Sequence, residues 1–274
     1  MLEIKTKKIG AELTSIKLDN VEKLHQGECY WKRHAPILFP IVGQLKDGKT
    51  VINDRTYEMG QHGFARDMEF EELKTNTFLL KSSKDTLKKY PFEFELYVEY
   101  KINNNELTTI YKVINKDTKT MYFGLGGHPA FICEYSREEY QIHFDADETE
   151  IEFMKLENGL ISNEKAPNIL KENRIDLLPD IFENDAIIMK NIRSNKVILF
   201  NKKQNKKILE FDFTGFPYLA LWSKKGAPFV CIEPWHNTTD KVNSNGKFEQ
   251  KENILKLEPE EKFECSYKIN FEEE

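Results

Sequence analysis

The chain has 274 residues, of which 40 are basic and 46 are acidic, for a formal net charge of -6 at pH 7. Both signs are interspersed along most of the sequence, which excludes the concentrated basic surface of a protein built to bind nucleic acid or anionic membrane. Hydrophobic residues make up 39% and charged residues 31%, which excludes the low-hydrophobicity composition of a disordered chain. We therefore expect a single folded domain over residues 1–274.

The N-terminal segment and the distribution of cysteines indicate the compartment. Residues 1–13 lack the apolar core of a signal peptide, and no stretch approaches the roughly 18 apolar residues of a membrane helix. A cytoplasmic protein with no membrane partner is expected. The cysteines are scattered without a CxxC pair, so neither a zinc knuckle nor a disulfide framework is indicated. They are Cys29, Cys133, Cys231 and Cys265.

Apolar residues recur at every second position along much of the chain. This period of two predicts half-buried strands, and Asn, Asp, Gly and Lys clusters commonly bound the runs. No window sustains the 3.6-residue stripe of a long amphipathic helix, although residues 136–140 and 178–183 fit single helical turns. The sequence predicts an all-β fold, a large antiparallel β-sandwich or barrel with few short helices. The alternating runs are residues 68–73, 77–81, 92–102, 107–114, 197–200, 208–213 and 263–271.

Three polar clusters interrupt the strand patterns, at residues 61–66 (QHGFAR), 124–131 (GLGGHPAF) and 231–236 (CIEPWH). In the middle cluster, two glycines precede His128 and Pro129 follows it, so the imidazole is held in a tight, preset corner of the backbone. Such a histidine is a candidate for proton transfer. The alternative is a histidine that only satisfies its hydrogen bonds beside a turn.

The last cluster places a carboxylate at the end of an apolar run. Glu233 follows residues 227–232, and Pro234 interrupts strand pairing directly after it, so Glu233 is predicted at a strand end that faces a cleft. The alternative is a surface or salt-bridged glutamate. Glu233 and His236 resemble half of a metal-binding pattern, but Pro234 forbids the regular helix that would align them. The sequence predicts no metal ion and no cofactor.

The order of these motifs resembles the aldose 1-epimerases, or galactose mutarotases, and most closely their LacX-like branch. The resemblance covers nearly the whole chain and implies a β-supersandwich with a cleft across one sheet, a sugar substrate and no cofactor. Five short motifs in the same order carry it, namely GAELTSIKL at residues 10–18, PILFPIVGQLKDG at 36–48, QHGFARD at 61–67, GGHPAF at 126–131 and IEPWHNTTD at 232–240.

The resemblance also implies roles for individual residues. His128 of GGHPAF is similar to the family's general acid, and Glu233 of IEPW is similar to its general base. His62 of the HGFAR motif corresponds to a second histidine that binds the sugar near its ring oxygen. Arg66 corresponds to a cation that faces the substrate or braces the site, and Asp185 to an aspartate that binds sugar hydroxyls.

The sequence departs from the family pattern at Gln44, where the LKDG context often follows an arginine, and the asparagine–arginine pair of the galactose-specific pattern is absent. The identity of the sugar therefore stays open, and Arg66 leaves hexose 6-phosphates as an alternative substrate class. A non-catalytic carbohydrate-binding or sugar-sensing protein is a second alternative. A glycosidase that uses Asp185 and Glu233 is a third, but it would leave His128 without a role.

Overall fold

The computed structural model describes residues 1–272 and confirms the predicted fold class. Its strands lie mostly in antiparallel sheets, and its helices are few and short. The last two residues of the predicted domain, 273–274, lie outside the described residues. No helix within residues 1–272 is both long and apolar enough to span a membrane.

The elements of residues 1–272 follow one another closely along the chain. The α-helix α1 covers Lys84–Leu87, and four 3-10 helices cover Lys46–Gly48, Ala65–Asp67, Arg137–Glu139 and Phe248–Gln250. The strands are β1 Leu2–Thr6, β2 Leu13–Leu18, β3 Val21–Glu22, β4 Ile37–Leu38, β5 Lys49–Ile52, β6 Arg55–Glu58, β7 Glu71–Lys74, β8 Thr77–Lys81, β9 Phe94–Asn103, β10 Glu106–Asn115, β11 Met121–Phe123, β12 Gly126–Gly127, β13 Ala130–Ile132, β14 Tyr140–Phe144, β15 Glu152–Glu157, β16 Leu160–Lys165, β17 Arg174–Asp176, β18 Ile187–Lys190, β19 Lys196–Asn201, β20 Lys206–Asp212, β21 Tyr218–Trp222, β22 Phe229–Trp235, β23 Leu255–Leu257 and β24 Lys262–Phe271.

The larger sheet has nine strands in the order β17-β14-β19-β20-β24-β10-β9-β8-β7. Its long central strands are those with the clearest alternation in the sequence. In β9, the side chains of Phe94, Leu96 and Val98 are buried, while the residues between them are partly exposed. One face of this sheet therefore packs into the core and the other meets solvent.

The second sheet has eight strands, in the order β16-β15-β18-β21-β22-β12-β4, with β13 also paired to β22. Its central strand β22 is buried along its whole length. Val230 and Ile232 join the main core, which also contains the inward residues of the nine-stranded sheet. Because successive side chains of a strand point to opposite faces, Cys231, Glu233 and Trp235 lie on the face turned away from that core. This outer face carries the candidate site.

Two local predictions differ from the structure. Glu233 was predicted at a strand end, but it lies inside β22, and Pro234 still lies opposite Leu219 of β21 in the register. Residues 136–140 contain the 3-10 helix Arg137–Glu139, but residues 178–183 form turns without a helix. The α-helix at Lys84–Leu87 was not predicted, because a single turn is too short for an apolar stripe. Its signal is the capping box in which Ser83 and Thr86 each bond the other's backbone N–H.

A buried carboxylate ties the N-terminal sheet to the loop that precedes β4. Glu12, which is 2% exposed, accepts the backbone N–H groups of His34 and Ala35 and pairs with Lys7 at 2.5 Å. Burial alone would raise the pKa of Glu12, but the hydrogen bonds from His34 and Lys7 outweigh it and lower this pKa to about 2. The folded state therefore strongly prefers the ionised carboxylate.

We expect Glu12→Gln to lower the free energy of unfolding by about 2 kcal/mol at neutral pH, because the amide keeps the shape but loses the charge that these donors stabilise. A folded pKa below the unfolded value of 4.5 gives stability that is present above pH 4.5 and is lost as the pH falls toward 2. Urea unfolding at several pH values should show the gap between wild type and variant closing over that range. A difference in unfolding free energy that does not change with pH would contradict this account. The control is Glu71→Gln, at an exposed position.

Candidate active site

Sheet register brings His128 and Glu233 together. Strands β12 and β13 both pair antiparallel with β22, with Gly126 opposite Trp235 and Ala130 opposite Cys231. The same register, carried through the two residues between these strands, sets His128 opposite Glu233. The His128 Nε2 and Glu233 Oε2 atoms lie 3.2 Å apart. Two motifs about 100 residues apart in sequence therefore meet at one point on the outer face of the sheet.

The glycines before His128 are required by close packing. A Cβ atom on Gly127 would lie 2.8 Å from the Tyr267 ring, and one on Gly126 would lie 2.8 Å from the Trp235 ring. Real Cβ atoms essentially never approach other atoms so closely. The two small residues therefore let β12 pass between buried aromatic rings and deliver His128 to the outer face of the sheet.

Burial controls the charge of the pair, since His128 is 6% and Glu233 1% exposed. Burial lowers the pKa of His128 to about 3 and raises the pKa of Glu233 well above its usual 4.5. The positive charge of Arg66 lowers the pKa of Glu233, and the negative charge of Asp185 raises it further. Both shifts disfavour the charged forms, so burial favours a neutral imidazole beside a neutral carboxyl group.

His62 is held as a neutral hydrogen-bond donor. The backbone N–H of Gly43 donates to His62 Nδ1 at 3.1 Å, so the ring proton of the neutral imidazole lies on Nε2. Burial, followed by the neighbouring His128, lowers the pKa of His62 well below 6.5. The next residue, Gly63, has φ +72° and lies so close to the Phe39 carbonyl that a Cβ would come within 2.2 Å of it. This contact fixes the 61–66 loop against β4.

His128, Glu233 and His62 line a cavity on the outer face of the sheet, and Arg66 and Asp185 line it too. Arg66 donates to the Gln61 carbonyl at 2.7 Å, and burial, followed by the neighbouring Arg33, lowers the pKa of Arg66 to about 10, so Arg66 stays charged at neutral pH. Asp185 is exposed and accepts the Ala186 N–H at 2.9 Å, which leaves carboxylate lone pairs free toward the cavity. All five residues that the sequence singled out therefore line one cavity of about 230 Å³.

An aromatic wall, most of which was not predicted from the sequence, completes this cavity. The Trp31 ring stacks on the His128 ring with centroids 4.8 Å apart, and the Trp222 ring meets His128 edge-on at 5.8 Å. Trp31 lies in a loop without strand periodicity, where the main chain is held by a 2.9 Å contact between its carbonyl and His25 Nε2. Its only sequence signal is a large aromatic residue within a polar loop. The cavity is also lined by Leu156, Gly159, Ile188 and Thr239.

The structure gives no support to a metal site built on Glu233 and His236. The His236 ring packs against Phe216 with centroids 4.4 Å apart and does not line the cavity. What the arrangement provides instead is a buried acid–base pair, a neutral imidazole donor, a guanidinium and a carboxylate around a small concave space. Such a set can move protons between neighbouring oxygen atoms of a polyhydroxylated molecule.

The comparison with known families covers most of the chain. Residues 1–256 match the family described as aldose 1-epimerase. The chain belongs to the aldose 1-epimerase family. Protein LacX (chromosomal) of Lactococcus lactis subsp. lactis, a curated relative, is 34% identical over 98% of this chain and 96% of its own.

Solved structures of related proteins have the same fold. A galactose mutarotase related enzyme from Lactobacillus acidophilus superposes with a TM-score of 0.90 at 33% identity, over 100% of this chain and 95% of its own. A galactose mutarotase-like protein from Lactobacillus casei has a TM-score of 0.90 at 29% identity, over 99% and 97% of the two chains. The predicted aldose 1-epimerase membership and its LacX-like character are thus confirmed.

Proposed function

We propose that the chain interconverts the α and β anomers of a hexose, as a mutarotase whose acid–base pair is His128 and Glu233. The observation that carries the proposal is the 3.2 Å approach of the two side chains, both buried, at a cavity of small-molecule size. A structural ion pair has no need of a cavity, whereas a catalytic pair must meet its substrate.

The reaction requires two proton transfers and no electron transfer. One group removes the proton from the C1 hydroxyl, another protonates the ring oxygen, and the bond between C1 and the ring oxygen breaks to leave an aldehyde. After rotation about C1–C2, the hydroxyl adds to the other carbonyl face and both protons return. Glu233 as carboxylate and His128 as imidazolium perform the first half, and reclosure reverses their roles. Transfer of the Glu233 proton to His128, whose Nε2 lies 3.2 Å from Oε2, converts the neutral pair into this form. The transfer requires a small realignment of the two side chains, because Oε2 has no well-aligned hydrogen-bond partner within residues 1–272.

The remaining polar residues are suited to holding the sugar. The His62 Nε2–H can donate to the ring oxygen or a neighbouring hydroxyl, and the exposed Asp185 carboxylate can accept from two hydroxyls. Arg66 stabilises negative charge that develops near Glu233, because its guanidinium already favours the ionised form of this carboxylate. These roles make the sugar a ligand of fixed orientation rather than a loosely bound solute.

Local charge favours a neutral sugar over a sugar phosphate. Arg33 donates to Asp67 at 2.9 Å, and the Arg66 Nε atom lies 3.9 Å from the same carboxylate. Asp67 therefore offsets part of the positive charge that a phosphate would need, and Asp185 adds negative charge at the cavity. A non-catalytic sugar-binding protein would retain the cavity and the aromatic wall but has no use for the buried pair.

Binding and catalysis can be measured separately, because the chain's three tryptophans, Trp31, Trp222 and Trp235, all line the cavity. Sugar binding should change the intrinsic fluorescence, and polarimetry on freshly dissolved pure anomers should report turnover. A panel of free and 6-phosphorylated hexoses distinguishes the substrate classes. Fluorescence changes without faster anomer exchange would identify a binding protein and overturn the proposed activity.

We expect a broad bell-shaped pH dependence of kcat/KM, because catalysis requires that the pair hold one proton. On the acid side the pair gains a second proton only when His128 is protonated, with a pKa of about 3. On the alkaline side it loses its last proton when Glu233 ionises, and burial raises that pKa well above 4.5. Activity should therefore persist below the ordinary histidine pKa of 6.5. An acid limb centred at that value in polarimetric rates would contradict the shared-proton description.

A further inference from the structure

A cysteine lies beside the catalytic pair. Cys231 and Glu233 are two residues apart on β22, so their side chains point to the same face of the sheet. Cys231 is fully buried and has no part in the proposed proton transfers. Its sulfur, one ring nitrogen of His128 and one carboxylate oxygen of Glu233 all lie within 4.8 Å of one another. A nitrogen, a sulfur and an oxygen donor thus converge at the catalytic centre.

The spacing of these atoms suits a small divalent cation. Three atoms no more than 4.8 Å apart leave a point within about 2.8 Å of all of them, whereas Zn²⁺ binds at about 2.0–2.3 Å. Side-chain shifts of about 0.5–0.8 Å per ligand would close this difference. The Glu233 Oε2 atom is buried and has no hydrogen-bond partner of good geometry within residues 1–272, so it is available as a ligand.

The surroundings supply the other requirements of such a site. His128 and Glu233 line the cavity, so a water molecule can fill a fourth position, and the cavity provides an entry path. Thiolate and imidazole are preferred by Zn²⁺ and similar cations over Mg²⁺ or Ca²⁺. Cys231 is buried next to the pair and does not line the cavity. Its sulfur adds a third ligand, which distinguishes this cluster from an ordinary histidine–carboxylate contact.

We propose that His128, Glu233 and Cys231 form an inhibitory site for a thiophilic divalent cation such as Zn²⁺ or Cd²⁺. Binding displaces the thiol proton and the proton shared by the pair to solvent, because metal ligands must be deprotonated. A pair that coordinates a cation cannot exchange protons with a sugar, so metal and sugar exclude each other. The inhibition rests on the proposed mutarotase function, whereas metal binding itself does not.

Metal binding is tested first without any activity assay. The protein is freed of metal by chelator and carries Cys29→Ser, because Cys29 is an exposed thiol that would bind metal nonspecifically. Co²⁺ should produce a thiolate-to-metal charge-transfer band, and Zn²⁺ should bind at one site by calorimetry. Cys231→Ala should abolish the band and weaken Zn²⁺ binding tenfold or more, whereas the control Cys265→Ala should change neither. Cys231→Ser provides a second test if the alanine variant unfolds early.

Two results would overturn the proposal: a band that persists in both Cys231 variants, or the lack of Zn²⁺ binding at micromolar concentration in the folded parent protein. Polarimetry then tests inhibition. Zn²⁺ should compete with sugar, EDTA should restore the rate, and the inhibition constant should rise tenfold or more in Cys231→Ala, relative to that variant's own metal-free rate. If the protein binds Co²⁺ through Cys231 but exchanges no anomers, the mutarotase proposal fails and the metal site stands.

Discussion

Replacing Glu233 by glutamine is expected to lower kcat for anomer exchange by about 10²-fold or more while the protein stays folded and binds sugar. The amide has nearly the same shape as the carboxyl group but can neither accept nor release the proton. Glu233 is 1% exposed, and burial disfavours its ionised form and raises its pKa, so a neutral amide suits the same surroundings. The substitution should therefore disturb packing little.

Thermal unfolding and tryptophan fluorescence on the same preparation separate loss of catalysis from loss of structure. The matched control is Glu148→Gln, at a buried carboxylate that accepts the backbone N–H groups of Arg193 and Ser194 and does not line the cavity. This control should lower the melting temperature and leave kcat of the folded fraction unchanged. If Glu233→Gln behaves like the control, Glu233 is a structural residue and the proposed mechanism is wrong.

His128→Asn is expected to lose activity on the same scale, about 10²-fold or more, because asparagine can hydrogen bond but cannot transfer the proton. The double variant with Glu233→Gln should lose far less than the product of the two single losses. In the proposed mechanism both residues act on one proton relay across 3.2 Å, so removing either one disables the relay.

Polarimetry of the four proteins completes this double-mutant cycle. Losses that multiply would mean that the two residues act independently, and would contradict the description of a coupled pair. Comparison at saturating sugar keeps binding out of the result. The stacked Trp31 ring, whose centroid lies 4.8 Å from that of His128, makes fluorescence a sensitive check that the asparagine is accommodated.

The alternation of apolar and polar residues predicted the strands that have one solvent-exposed face. It did not predict the strands whose two faces are both buried. In β9, buried and partly exposed residues alternate, and the pattern is visible in the sequence. In β21 and β22, nearly every residue is buried, because one face packs on the main core and the other forms the floor of the cavity. A continuous apolar run has no period, so these strands could not be told from a buried helix segment by pattern alone.

The candidate site was predictable where backbone restraints leave a mark on the sequence. Two glycines and a proline around His128, and a proline after Glu233, marked these positions as unusual. Their partnership was implied only by the resemblance to the aldose 1-epimerases, because sheet register depends on residues far apart in sequence. Trp31 left no such mark, since its position depends on how Glu12 and His25 hold a loop onto the sheet.

The central claim is that a buried His128–Glu233 pair exchanges anomers, and the most direct measurement is polarimetry of a freshly dissolved pure anomer with the wild-type protein and Glu233→Gln side by side. Tryptophan fluorescence first establishes that both proteins bind the sugar. We expect the wild type to bring the solution to anomeric equilibrium much faster than buffer alone, and Glu233→Gln to leave the rate near that of buffer. Bound sugar that equilibrates no faster with the wild type than in buffer would contradict the account.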